Sequence, residues 1–283
     1  MARTLNCGVN SAAAVAAATR VLLVLYALYA RHLRSRLLKG PLPAHVALVM
    51  DGNRRWAKEM GLANPSQGHR HGVEHIETVI GWCADLDIRH VTIYVASVDN
   101  VRKRESAQVA FYMGLIEEII AVRLVDSAPR WRLHVAGRLD ELPDPTAHAL
   151  KLAVDRTRDR EGFHLTLAIG YDGRQEVVDA LRSVLTDRAD AGVPIDELAR
   201  TITADDIAAH LYTAGRPDPD LIIRTSGEQR LSGFLIWQSA TARLHFCEVY
   251  WPGFRHIDFL RALRSYAARR PRRDPRTAEK IRP

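Results

Sequence analysis

From residue 43 onward, short apolar runs alternate with longer stretches in which apolar residues return every three or four positions. The runs fall at 45–50, 90–95, 131–136, 164–169 and 221–223, with a sixth at 243–249. They are nearly continuous rather than alternating, which is the mark of strands buried on both faces. Between them, helical spacing predicts helices over 73–85, 107–126, 145–161, 175–191 and 204–212. This order predicts an α/β fold, a single domain with a mostly parallel central sheet flanked by helices. No internal repeat or long linker interrupts 41–266.

The chain before residue 41 reads differently. Arg20 interrupts the Ala- and Leu-rich stretch 11–30, leaving ten uninterrupted apolar residues, 21–30. That is half of the roughly 20 that a bilayer span needs. A positive residue before an apolar stretch also fits a signal peptide. Against that, Leu22, Leu25, Tyr26, Tyr29, Leu33 and Leu37 recur at helical spacing, interleaved with Arg31, Arg34 and Arg36. The pattern predicts an N-terminal amphipathic helix with a basic face. Packing on its own domain or on a partner is favoured over peripheral membrane contact.

Composition excludes several classes. With 283 residues, 47% hydrophobic and 26% charged, the chain is neither disordered nor fibrous. Cys7, Cys83 and Cys247 are odd in number and far apart, so they form no disulfide framework or paired-cysteine zinc site. A reducing, cytoplasmic location follows from that usage. The net charge of +7 sits at the ends: residues 1–40 hold six basic side chains and no acid, and 261–283 hold nine basic and two acidic ones. The body between them is mildly acidic and shows no basic stripe with interleaved aromatics. Nucleic acid is therefore not an expected partner.

In open α/β sheets ligands sit beyond the carboxyl ends of the strands. Those positions hold Asp51-Gly52-Asn53-Arg54-Arg55, Ala96-Ser97-Val98-Asp99-Asn100, Gly170-Tyr171-Asp172-Gly173-Arg174 and Arg224-Thr225-Ser226-Gly227-Glu228. Arginines, hydroxyls, amides and glycines together suit an anionic, phosphorylated ligand, because guanidinium forks match phosphate oxygens. There is no Walker sequence and no G-x-G-x-x-G, so a nucleotide is not the first reading.

Two of these blocks carry a family resemblance. The segment His45-Val46-Ala47-Leu48-Val49-Met50-Asp51-Gly52-Asn53-Arg54-Arg55-Trp56-Ala57 resembles the cis-prenyltransferases, the undecaprenyl diphosphate synthase family. So does Asp220-Leu221-Ile222-Ile223-Arg224-Thr225-Ser226-Gly227-Glu228-Gln229-Arg230-Leu231-Ser232-Gly233-Phe234-Leu235-Ile236-Trp237-Gln238, with Gly68-His69 and Trp251-Pro252 in support. The resemblance covers about 41–266, and Arg-Leu-Ser-Gly is most similar to the actinobacterial short-chain branch. It implies condensation of isopentenyl diphosphate with a short allylic prenyl diphosphate, a cis double bond, a product near C15, Mg2+ and a homodimer.

Position by position, the resemblance makes Asp51 the Mg2+ ligand and a catalytic residue. Gly52, Asn53, Arg54, Arg55, Trp56 and His69 would receive the allylic diphosphate. Arg224, Arg230, Leu231 and Ser232 would receive isopentenyl diphosphate. Ser97, Val98, Asp99 and Arg104 would line the loop beside the condensing carbons, where Asn100 would assist proton removal. Outside the motif the same residues have plainer readings: solvated arginines on a turn, a core tryptophan, an Asx-type cap at Ser97 and Asn100. A metal cluster at His69, His71 and His75 is disfavoured, because no cysteine or paired carboxylate completes it.

Four positions depart from the family. Arg243 stands where a glutamate sharing the metal is usual, and Gly253 replaces the acid after Trp-Pro. Asp99-Asn100-Val101 replaces a Glu-Asn-aromatic or Glu-Asn-Leu sequence, followed by Arg102-Lys103-Arg104. Asn64-Pro65-Ser66 lacks the arginine before Gly-His. If Arg243 faces the site it would repel Mg2+; if not, Asp51, diphosphate and water would suffice. Val95 occupies a tunnel-wall position that is larger in short-chain members. Prenyl diphosphate cyclisation, a non-head-to-tail condensation and a non-catalytic partner subunit are the alternative functions.

Overall fold

The structure, a computed structural model, describes residues 7–103 and 106–268. Arg104 lies outside the described residues; of the basic, disordered tail expected over 267–283, residues 267–268 belong to the last described helix and 269–283 lie outside the described residues. The chain forms two compact units, one running from Pro43 to Phe254 and one joining the residues before 43 to those from 255 onward.

In the second of these units, helix α1 (Cys7–Leu37) lies against the chain's last described helix, His256–Ala268. Ala30, Leu33 and Leu37 are buried, the Ile257 N–H donates to the Tyr26 hydroxyl at 3.2 Å, and Arg264 donates to the Tyr29 hydroxyl at 3.1 Å.

The Pro43–Phe254 unit is built on strands β1 (His45–Val49), β2 (His90–Ser97), β3 (Trp131–Ala136), β4 (Phe163–Tyr171), β5 (Leu221–Arg224) and β6 (Arg243–Phe246). Their order is β3-β4-β2-β1-β5-β6, and every pairing is parallel. All five residues of β1 and eight of the nine in β4 are buried, which requires cover on both faces.

Helix α2 (Asn53–Glu59) and helix α3 (Gln67–Ala84) follow β1, and α4 (Val98–Lys103) follows β2 directly. Helix α5 (Ser106–Leu115) passes through a π-helical stretch, Ile116–Leu124, into α6 (Val125–Ser127). Then come α7 (Asp144–Thr157), α8 (Gly173–Asp190), α9 (Ile195–Thr201) and α10 (Ala204–Ala208), which makes the helix of the other unit α11.

After β1 the chain builds the sheet on one side, and it crosses to the other side only with β5. The β1–β5 boundary is therefore a topological switch point, where ligands of open α/β sheets bind.

At the opposite, amino-terminal end of the sheet, register aligns His45, His90 and His164 on β1, β2 and β4. His45 Nδ1 lies 2.7 Å from the Pro217 carbonyl and so carries the proton, leaving Nε2 to accept from Thr92 at 2.8 Å. Arg216 donates to His134 Nδ1 at 3.4 Å, and His134 Nε2 then donates to His164 Nδ1 at 3.0 Å. Each contact suits the neutral ring. Burial first, with neighbouring histidines and Arg216 adding to it, pushes His45 and His134 down to about 4; His90 and His164 are also lowered.

The unfolded chain, with ordinary histidines, takes up protons first as pH falls below the unfolded value of 6.5. Stability is therefore full above that pH and drains towards pH 4. Thermal melts at pH 7.5 and 5 should differ by about 2 kcal/mol from His45 alone. His45→Asn should flatten that dependence; a slope unchanged by the substitution would count against the assignment.

Candidate active site

The strand ends bring the motif residues together through register. Val49 pairs with Tyr94 on one side and with Arg224 on the other, so Asp51, Ser97 and the chain after Arg224 emerge side by side. Gly52 then turns the chain from β1 into α2 at a φ of +98°, and a Cβ there would lie 2.5 Å from the Tyr250 ring. Only glycine meets both demands.

Asp51 is the centre of the arrangement. Its Oδ2 accepts from Arg224 Nη2 at 2.8 Å, and its Oδ1 accepts from the Gly52 N–H at 2.7 Å and from Arg55 at 3.4 Å. Its own backbone is fixed by Thr225, whose hydroxyl accepts from the Asp51 N–H at 3.0 Å and donates to the Asp51 carbonyl at 2.8 Å. Burial alone would raise the Asp51 pKa. Hydrogen bonds from Arg224 and Ser226, the Arg224 charge and the Gly52 N–H outweigh it, so the carboxyl titrates below the ordinary range and is ionised at neutral pH.

Arg224 is almost fully buried and spends its fork on three partners: Asp51, the Ser232 hydroxyl at 2.9 Å and the Arg230 carbonyl. Its Nε is buried with no partner among the described residues. Arg55 donates to the Ser226 hydroxyl at 2.8 Å and stacks over the Tyr250 ring at 5.2 Å. Ser226 and Ser232 are both held at positive φ, +79° and +52°, so the loop between them is set by its contacts rather than by backbone preference.

These residues surround a cavity of about 510 Å³, a size that suits a small-molecule site. Asp51, Gly52, Asn53, Arg54, Arg55, His69, Ser97, Asp99, Arg224 and Ser232 line it. The rest of the lining is apolar and aromatic, with Val49, Met50, Tyr94, Val95, Ala96 and Tyr112. The Tyr112 hydroxyl donates to the Val95 carbonyl at 2.7 Å, and its ring lies 5.0 Å from His69; Tyr94 stacks on Phe234 at 4.9 Å. Arg54 lines the cavity, is exposed and forms no ion pair among the described residues. Asn53 is pinned by its amide, which donates to the Met50 carbonyl at 3.1 Å, while its Oδ1 is buried and unpartnered among the described residues.

Other expected residues fall elsewhere. Trp56 packs edge-on to His71 at 5.1 Å, outside the cavity lining. Arg230 is exposed and ion-paired with Glu228. Leu231 packs against the core cluster around Tyr171 and Phe234. Val98 lines a neighbouring cavity of about 320 Å³ with Arg102, Arg138 and Arg174. Asn100 lies in α4, two residues beyond its first, and nothing is described of its side chain. His69, His71 and His75 do not converge: His75 bonds the Phe254 carbonyl at 2.7 Å between Trp82 and Trp251, and His71 is exposed.

The departures also find places. Arg243 opens β6 opposite Leu221, whereas Arg224 pairs with Phe246, three residues further on. At about 3.3 Å per residue, Arg243 begins its strand roughly 10 Å from the site end of the sheet. The first of its two readings, a cation facing Asp51 of the same chain, is set aside by that register. A Cβ on Gly253 would lie 3.5 Å from the Trp56 ring, so the missing acid belongs beside Trp56. Asn64 caps its own turn through Ser66 N–H at 2.9 Å, immediately before α3.

The model of a family described as putative undecaprenyl diphosphate synthase matches residues 49–274. The chain belongs to this family. An isoprenyl transferase of Streptomyces fradiae is 58% identical over 249 residues, 87% of this chain and 96% of that protein. A (2Z,6E)-farnesyl diphosphate synthase of Thermobifida fusca is 48% identical, covering 88% of this chain and 96% of its own. Among solved structures, lavandulyl diphosphate synthase of Lavandula x intermedia, in complex with dimethylallyl diphosphate, superposes with a TM-score of 0.74. Its identity is 32%, over 81% of this chain and 97% of that one. This cis-prenyltransferase is accordingly a transferase.

Among the described residues no group of three or more His, Cys, Asp or Glu could hold a metal ion unaided. Mg2+ sites commonly use one or two carboxylates with substrate phosphates and water. The ionised Asp51, one-third exposed towards the cavity, fits that kind of site and not an all-protein cage. Tyr94 and Tyr112 are cavity residues that motif reading missed. Tyr94 was visible in Tyr94-Val95-Ala96-Ser97; Tyr112 carries no motif, and only packing brings it in.

Proposed function

We propose that this protein condenses isopentenyl diphosphate with a short allylic diphosphate to give a Z-prenyl diphosphate near C15. The observation that carries the reading is one cavity whose lining combines arginines around the Asp51 carboxylate at the sheet's switch point with the apolar and aromatic side chains of Val49, Tyr94, Val95 and Tyr112. An ionic head and a hydrocarbon tail on one substrate require that pairing. The relatives' names, an isoprenyl transferase and a (2Z,6E)-farnesyl diphosphate synthase, support the substrate class and the chain length.

In the reaction, the allylic C–O bond breaks and its electron pair leaves on diphosphate. The isopentenyl double bond supplies the pair for the new C–C bond, and a proton is then lost from the adjacent isopentenyl carbon. The Gly52 turn, Asn53, Arg54 and Arg55 receive the allylic diphosphate, whose leaving oxygens gain charge as the bond breaks. Arg224, Arg230 and Ser232 receive the second diphosphate, and Ser97 and Asn100 lie on the segment nearest the proton to be removed. Asp51 would hold Mg2+ together with the diphosphate oxygens, and the ion when bound supplies positive charge that stabilises the leaving group. Tyr94, Val95 and Tyr112 exclude water from the carbon chain. A homodimer of cytosolic location completes the proposal, supported by the exposed edge strand β6, where Leu244 is 42% accessible, and by the unpaired use of cysteine.

Labelled isopentenyl diphosphate offered with dimethylallyl, geranyl or farnesyl diphosphate, with and without Mg2+, tests this reading. Products read by mass and against E and Z standards should show Mg2+-dependent C15 of Z geometry. The same preparation should sediment at twice 31.7 kDa. Consumption of an allylic substrate without isopentenyl incorporation would replace elongation by cyclisation or non-head-to-tail condensation. Diphosphate binding without turnover would leave a partner subunit.

A further inference from the structure

Helix α1 has two apolar faces, and the contacts of its own unit use one. Ala30, Leu33 and Leu37, each less than 9% exposed, lie on the face turned to α11. Val21, Val24, Leu25 and Leu28 are 58, 58, 55 and 55% exposed. At 3.6 residues per turn these four fall within an arc of about 100°, nearly opposite the buried face. Arg20 and Arg31 border the exposed stripe on one side and Arg36 on the other, all three exposed. The first acidic residue of the chain is Asp51, so nothing on the helix offsets these charges.

An apolar stripe left in water on the far side of a packed helix is unfavourable, and its basic border narrows what can cover it. A second copy of the same helix would bring like charges together with no carboxylate to pair them. A bilayer surface with anionic headgroups answers both features, taking the side chains into its acyl boundary and the arginines at its phosphates. No described helix is long and apolar enough to cross a membrane, so the contact is in the plane of the surface.

We infer that the outer face of α1, centred on Val21, Val24, Leu25 and Leu28, docks this enzyme on anionic lipid bilayers. Flotation of the full chain with phosphatidylcholine vesicles and with mixed phosphatidylcholine–phosphatidylglycerol vesicles tests it. Binding should be stronger to the mixed vesicles by about tenfold or more and should weaken with salt. Leu25→Asp with Leu28→Asp should abolish it, and Arg31→Glu with Arg36→Glu should remove the preference for the anionic vesicles. Far-UV circular dichroism and condensation activity in lipid-free buffer should be unchanged in both variants. Equal binding to neutral vesicles, binding unaffected by either double variant, or a lipid-free oligomer lost with Leu25→Asp/Leu28→Asp would overturn the inference.

Discussion

Asp51→Asn should lower kcat for condensation by about 10²–10³-fold while leaving the cavity in place. The amide keeps the shape of the carboxylate but has a single acceptor oxygen, so of the bonds from Arg224 to Oδ2 and from the Gly52 N–H to Oδ1 only one is kept. Lost as well is the negative charge where Asp51 lines the cavity, which in the proposed reading helps to hold a divalent cation against the diphosphate. The deficit should not be recovered by excess isopentenyl diphosphate, because the role proposed for Asp51 lies with the allylic diphosphate and its metal. Excess Mg2+ should recover part of it. Arg224 is left with a buried charge short of its counter-ion, so the melting temperature should also fall, by the equivalent of about 1–3 kcal/mol. Steady-state kinetics over a Mg2+ series, with a thermal melt on the same protein, separates the two effects. A variant within a few-fold of the parent would remove Asp51 from the chemistry.

The placement of Asp51 illustrates which parts of this molecule are legible in its sequence. The strand 131–136 is readable to the residue although it lies at the sheet's edge and only half of it is buried, Trp131, Leu133 and Ala136, with Arg132 and His134 between them. The parallel sheet followed from the alternation of strands with helices. Boundaries drifted where a strand runs into its catalytic loop: β2 extends to Ser97 and β4 to Tyr171, past the last apolar run, because backbone pairing does not depend on side-chain polarity. Helices α2 and α4 were read as loops for the same reason. Six or seven residues loaded with Arg, Asp and Asn carry no apolar period, and the helix is imposed by the Gly52 turn and the end of β2.

Local motifs reveal the ionic lining of the site and, of the apolar lining, Val95 but not Tyr112. Asp51 and Arg224 are 173 residues apart, yet each sits in a block whose glycines, arginines and hydroxyls mark it unaided. Tyr112 reaches the cavity from α5 with no marked neighbour, and its role depends on a register between helix and strand that no short pattern encodes. Arg243 shows the converse. Its place in the block leaves open whether it faces the metal ligand or points away, and the β5–β6 register puts its backbone at the other end of the sheet. Position in a motif is a one-dimensional coordinate, and strand pairing decides what it means.

Arg224→Lys is the substitution that should expose this dependence most clearly. A lysine ammonium is a point charge, and it cannot reproduce a planar fork that meets the Asp51 carboxylate, the Ser232 hydroxyl and the Arg230 carbonyl at once. Two consequences should separate in the kinetics. The KM for isopentenyl diphosphate should rise, because the loop carrying Arg230 and Ser232 loses the anchor that holds it at its positive-φ turn. The acid limb of the pH–rate profile should also move to higher pH. In the parent, Arg224 is the largest influence opposing the upward pull of burial on Asp51. With that opposition weakened, the Asp51 carboxyl titrates nearer neutrality, so activity falls at pH values where the parent is still fully ionised. Together these should cost about 10²–10³-fold in kcat/KM near pH 6, with a smaller deficit at pH 8. A loss of the same size at both pH values would mean that Arg224 binds substrate and has no hold on the ionisation of Asp51.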